Sequence, residues 1–349
     1  LVVYLFFQTG AYFFSSDESA IRPLPGPRLI AVRSKKFLGY SIRLLAVLIW
    51  GLVPIYVRYT PVNTLSPFLR TFLLSIGVVL PSALIYCLWS LIRNRRLPRW
   101  HLPYDNAFLI LVIGQVGYMC LQNASLIYTS GTNFLLFNSF APLMGLIIAA
   151  VFWHREIAYF KRPGTMFWIF IFALMASIGS VMLVSAHSVI GNEWSVVGDI
   201  LAMISTFFDV LLTVGQIQYI KRFTRTEGLL LNIHIFFFVM LSMAPLILLA
   251  PLVGGSLLKN LSYPTLFLGL GTGLFIGFGQ LLNYEAFKRI EGYLAYLMFN
   301  LSVLVTFVLE TFVLHSVRPT ILFLFSGLMI IGASVFAEIV NSRCEKKGF

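Results

Sequence analysis

Charged side chains are scarce in this sequence. Asp, Glu, Lys and Arg make up 11% of 349 residues, against 59% hydrophobic, whereas a soluble domain is about a quarter charged. That scarcity excludes an ordinary water-soluble domain. Cysteine is nearly missing, and Cys87, Cys120 and Cys344 show neither disulfide nor metal-site spacing, so they read as inert thiols. The five histidines are scattered, with no i, i+4 pair enclosing a glutamate, so neither a metal nor any other cofactor is expected. No Walker motif is present, which leaves no phosphate loop for ATP. Acidic residues number 13 against 25 basic ones, giving a net charge of +12, but the basic residues are spread over short connections rather than gathered into a nucleic-acid patch.

What the chain does have is long apolar runs. A helix crosses the hydrocarbon core with roughly 20 residues, and ten such runs fall at 40–59, 66–92, 106–127, 130–153, 164–186, 196–220, 229–254, 262–287, 292–315 and 317–340. With the amino terminus in the cytoplasm, the connections on the cytoplasmic side hold 21 basic residues. The other side holds four: Arg58, Arg70, Lys259 and Arg318. This bias follows the positive-inside rule and places both termini in the cytoplasm. The expected fold is an all-α membrane protein of ten transmembrane helices, and the expected location is the plasma or inner membrane of the cell. Residues 1–14 are apolar but too short to span, and residues 15–28 have a linker's Pro, Gly and Ser content. Residues 1–36 therefore read as an N-terminal tail, and residues 342–349 as a cytoplasmic one.

One carboxylate organises the rest. Asp209 falls near the middle of the sixth run, and at the helical repeat Thr206, Asp209, Thr213 and Gln216 share a stripe. An ionisable residue at that depth costs roughly 2.5–3.5 kcal/mol on insertion scales and usually faces a bundle interior or wet cavity. Burial disfavours the charged form of a carboxyl group. Asp209 thus suits a proton carrier or an attractor for a cationic group, or, without a function, a protonated acid bonded to Thr206 or Thr213.

Trp50-Gly51 in the first run, Pro67 with Arg70 in the second, and Pro142 followed by Glu156 in the fourth carry a resemblance. In order and spacing they resemble the EamA-type drug/metabolite transporters. The resemblance implies a path between the first, third, fourth, sixth, eighth and ninth helices. It also marks this chain as a divergent member, because Val303 and Val317 stand where the second half would carry proline and glutamate, and Glu310 lies seven residues before the latter.

Independently, the chain repeats itself. Gly39 and Trp50 align with Gly198 and Asp209, Gly117 and Asn123 with Gly277 and Asn283, and Gly131 with Gly292, at offsets of about 160. Five helices per half is an odd number, so the second half (196–341) enters the membrane inverted relative to the first (37–187), a plan recurrent in secondary transporters.

The candidate binding residues are Asp209, Trp50, Gln115, Asn138, Thr213, Gln216, Gln280, Tyr296 and Asn300, with Tyr118 and Tyr284 as further aromatic lining. Tyr296, Asn300, Phe307 and Glu310 would share one face of an unbroken ninth helix. Glu285 reads as half of a surface pair with Lys288 and Arg289. Gly269, Gly273 and Gly277 read as a packing stripe. Every Lys and Arg lies toward a helix end, which argues against phosphorylated cargo.

The function these features imply is a secondary transporter, or permease, for a small metabolite such as an amino acid or amine, with a proton as the coupled ion. The alternatives are a lipid or polyprenyl-phosphate flippase, a nucleotide-sugar transporter and, from another class, a receptor or scaffold that carries nothing. An intramembrane aspartyl protease is excluded because Asp199 and Asp209 lie on one helix roughly 15 Å apart. The partners implied are the solute, the proton and the bilayer, with no nucleic acid.

Overall fold

Serine followed by proline opens helices in this chain. Ser66 and Ser262 each accept a backbone N–H three residues on, from Leu69 and Thr265, at 3.3 Å. A proline follows at the first or second helical position, where its missing donor costs nothing. Asp105 does the same for Phe108 at 2.9 Å. The computed structural model describes residues 25–58, 65–95, 100–128, 131–153, 163–185, 196–223, 227–249, 262–312 and 320–346. The described residues form only helices: α1 (Pro25–Arg58), α2 (Pro67–Asn94), α3 (Asn106–Tyr128), α4 (Gly131–Asn138), α5 (Ala141–Trp153), α6 (Pro163–Ser185), α7 (Val196–Arg222), α8 (Gly228–Leu249), α9 (Tyr263–Phe287), α10 (Gly292–Leu297), α11 (Asn300–Phe312) and α12 (Ile321–Lys346).

They make ten spans of membrane length. Their sides that face away from the bundle expose large apolar residues, as a lipid-facing surface requires. Helix α1 starts at Pro25, upstream of the expected boundary at Phe37, and α12 runs on to Lys346. Residues 1–24 lie outside the described residues, as does Glu156.

Two expected spans are broken. The fourth divides into α4 and α5 around residues 139 and 140, and the ninth into α10 and α11 around residues 298 and 299. Pro142 accounts for the first break, since it cannot donate to the preceding turn. No proline lies at the second. Both breaks share another device: a serine hydroxyl folds back onto the carbonyl three residues earlier, Ser139 to Leu136 at 2.7 Å and Ser302 to Phe299 at 2.6 Å. Such back-bonding competes with the helical ladder. Tight i to i+3 bonds take over, Phe140 N–H to Phe137 O and Phe299 N–H to Tyr296 O.

Close approaches fix the packing. Helix α3 runs antiparallel to α7, with Gly114 against Leu212 and Gly117 against Phe208. Helix α1 runs antiparallel to α9, with Gly39 against Ile290, Trp50 against Gly279 and Tyr56 near Gly271. Helix α2 lies parallel to α9, where the glycine stripe does the packing: Gly273 meets the Leu74 carbonyl and Gly77, and Gly277 meets Val78. A Cβ at Gly273 would overlap backbone, which cannot yield as a flexible side chain can. Gly273→Val is therefore expected to destabilise the bundle by at least about 2 kcal/mol, read as a lower melting temperature in detergent. Gly164→Ala, with open space around it, leaves that temperature unchanged.

Candidate functional site

Asp209 is the central residue of α7, thirteen from either end, and is 6% exposed. Its partner comes from another span. The Tyr296 hydroxyl of α10 donates to Oδ2 at 2.7 Å, whereas Thr206, a partner the sequence suggested, donates instead to its own helix at Ala202 O, 2.9 Å away. Tyr296 is itself held close by Gly145 of α5, where a Cβ would stand 3.0 Å from the ring. Thr213 and Gln216, on the next turns of the α7 stripe, line the same cavity as Asp209 and Tyr296.

The cavity contains a cation that the sequence reading placed elsewhere. Arg43 lies in the middle of its span, Lys35–Val53, and is 1% exposed. The expectation that every cation sits toward a helix end is corrected here. Span 40–59 was placed too far along the chain, which moved Arg43 to its edge. Its Nε donates to the Ala295 carbonyl at 2.7 Å, its Nη1 to Asn283 Oδ1, and the guanidinium sits 5.6 Å over the Phe287 ring. Arg43 and Asp209 line one cavity and interact electrostatically, yet form no direct ion pair among the described residues.

From Arg43 a line of amides crosses the bundle. Asn283 Nδ2 donates to Gln280 Oε1 at 3.1 Å, and Gln280 Nε2 donates to Gln115 Oε1 at 3.1 Å. The line joins α1, α9 and α3, and so ties both halves of the chain. Aromatic rings form the remaining wall: Trp50, Tyr118, Phe287 and Phe299. Trp50 and Phe299 meet edge to face, 6.4 Å between centroids. Trp50 Nε1 and Gln216 Nε2 are buried donors without an acceptor among the described residues. The free space between these groups is narrow in this conformation, about 20 Å³, room for roughly one water.

The structure thus gathers Asp209, Trp50, Thr213, Gln216, Gln280 and Tyr296 around one cavity, with Gln115 bonded to its edge. It does not bring Asn138 or Asn300 there. Both are buried at the two helix breaks, Asn138 Oδ1 and both Asn300 side-chain atoms lacking partners among the described residues. Because the ninth span breaks between them, Tyr296 and Asn300 do not share a continuous face, and the side chain of Glu310 lies outside the described residues. Tyr284 is buried outside the cavity, and Phe287 and Phe299 supply the aromatic lining in its place.

Glu285 is 5% exposed and takes both Lys288, at 2.9 Å, and Arg289, at 2.6 Å, so the expected surface pair is a half-buried clamp. Sequence reasoning missed Arg43, Asn283, Phe287 and Phe299. Of these only Asn283 gave a signal, as the repeat partner of Asn123.

Comparison with known proteins agrees with this architecture. The signature of the EamA-like transporter family matches residues 37–183. A solved crystal structure superposes with a TM-score of 0.65 over 87% of this chain and 98% of its own, at 19% identity, a likeness of fold. No curated relative matches the chain. Residues 37–183 thus match the EamA-like transporter family, and that match, with ten helices of membrane length among the described residues, supports a multi-pass membrane transporter.

Proposed function

We propose that this protein is a secondary transporter, a permease, that carries a small metabolite, an amino acid or amine, by alternating access between residues 37–187 and 196–341. The observation that carries the reading is a buried carboxylate at the centre of a span, in a cavity lined by helices of both segments. An intramembrane ionisable group in such a place marks a solute or ion path.

Two further features support the inverted repeat. The helix breaks fall at corresponding positions, eight and six residues after Gly131 and Gly292. The packing of the third span on the sixth has a counterpart in that of the eighth on the first, which is the exchange a two-fold relation between halves produces. The charge bias of the connections supports both termini in the cytoplasm and a cell-membrane location.

Phosphorylated cargo remains disfavoured on new grounds. Arg43 is present, but two of its nitrogens already donate to the protein, and Asp209 would repel a phosphate in the same space. The same objection applies to a polyprenyl-phosphate headgroup.

The test is counterflow into proteoliposomes with labelled amino acids, amines, sugars and nucleotide sugars. One amino acid or amine class should accumulate well above protein-free vesicles. Carriage of nucleotide sugars alone would replace the cargo assignment. Lipid scrambling without solute flux would support a flippase, and binding without flux a receptor.

A further inference from the structure

The cavity holds one fixed cation and one fixed anion that do not neutralise each other directly. Arg43 is oriented by Ala295 O, Asn283 Oδ1 and the Phe287 ring, and its Nη2 makes no hydrogen bond among the described residues. Asp209 has Oδ2 occupied by Tyr296, and its Oδ1 makes no hydrogen bond there either. The two groups stand on helices of different halves and line one space. If they were only a structural ion pair they would close on one another, since separated buried charges are costly. Each instead keeps bonding capacity in the cavity they share.

We propose that Arg43 and Asp209 form a split charge pair that selects a zwitterion, Arg43 taking the carboxylate of an α-amino acid and Asp209 its ammonium group. This rests on the transport reading above for its physiological meaning, but not for its chemistry. An amino acid presents both charges on one carbon and satisfies both anchors at once when the narrow cavity widens to admit it. A simple amine leaves Arg43 uncompensated and a simple carboxylate leaves Asp209 so, and an uncompensated buried charge is strongly unfavourable. Net neutrality has a second consequence: the membrane potential does no work on the cargo, where a single charge would meet about 2.3 kcal/mol per 100 mV. The aromatic wall of Trp50, Phe287 and Phe299 leaves an apolar flank for the side chain.

The experiment is a thermal-shift titration of the purified full chain in detergent, which needs no flux. The twenty amino acids are screened, and the best binder is compared with the amine and the acid formed by removing its carboxyl or its amino group. The native protein should bind the amino acid at least about tenfold more tightly than either analogue. Arg43→Gln should lose the amino acid's advantage over the amine, and Asp209→Asn its advantage over the acid. Arg43→Lys, which keeps the charge, should restore part of the first.

If Arg43→Gln fails to fold, the native comparison alone decides. Equal binding of amine and amino acid, or no shift with any of the twenty, overturns the split pair. Zwitterion binding without counterflow would retain the pair and remove the transport reading. Counterflow of amines without zwitterion preference would do the reverse.

Discussion

Asp209→Asn is expected to lower exchange of the carried solute by roughly 10- to 150-fold in proteoliposomes while leaving the fold intact. The substitution keeps the shape and an oxygen able to accept from the Tyr296 hydroxyl, which now donates at 2.7 Å. It removes the charge and therefore one charge-assisted hydrogen bond to the solute, worth about 1.5–3 kcal/mol, and each 1.4 kcal/mol is about a factor of ten.

Exchange, in which solute moves in both directions without net proton flow, separates the two roles open to this carboxyl. If Asp209 anchors the solute, exchange and gradient-driven uptake fall together. If exchange persists and only the response to an imposed pH gradient disappears, Asp209 carries the proton and the anchor lies elsewhere. Tyr296→Phe is the companion variant. It frees the carboxylate of its one bonded neighbour without touching its charge, so a milder loss than that of Asp209→Asn is expected.

Much of the fold was legible because lipid imposes a simple rule on sequence: spans must be long, apolar and helical. All ten spans follow from that rule, with the first displaced and its error carried into the placement of Arg43. The breaks in the fourth and ninth spans were harder to see. Pro142 announces one, but Ser302 back-bonding in the other looks like any serine in a helix.

The site divides along the same line. Asp209, Thr213 and Gln216 are recoverable from one helix's periodicity, because a polar stripe on an apolar helix points inward. Asn283, Phe287 and Phe299 depend on the approach of α9 and the second break to α1 and α7, which composition does not encode. Tyr296 was found for its position, but its bond to Asp209 spans 87 residues, and no local pattern signals it.

Locking one end of the bundle should stop transport as completely as removing the carboxylate. Helix α1 and the turn after α9 meet at Gly39, where a Cβ would lie 2.9 Å from Arg289 Cβ and 2.7 Å from Ile290 Cγ2. The same end is held by Lys221 with Glu291 at 3.3 Å and by Arg222 with Asp105 at 2.9 Å. These contacts join the first half of the chain to the second or bind α7 to its neighbours. For a cavity between the halves to open on this face, the contact of α1 with residues 289 and 290 has to part.

Gly39→Cys with Arg289→Cys brings the two sulfur-bearing carbons to 2.9 Å, closer than the roughly 3.5–4.5 Å that a disulfide needs. Helix α1 therefore has to ease outward by roughly half an ångström or more to form it, and Ile290→Ala removes the overlapping methyl. In a background with Cys87, Cys120 and Cys344 changed to Ser, oxidation is expected to reduce flux at least tenfold and a reductant to restore it. The reduced protein is its own control for folding. Binding measured by thermal shift should survive in the oxidised form if the cavity opens at the other end, because the lock touches none of the cavity groups. Full flux through the oxidised protein would mean that α1 and this turn move as one body, and that access alternates along a different seam.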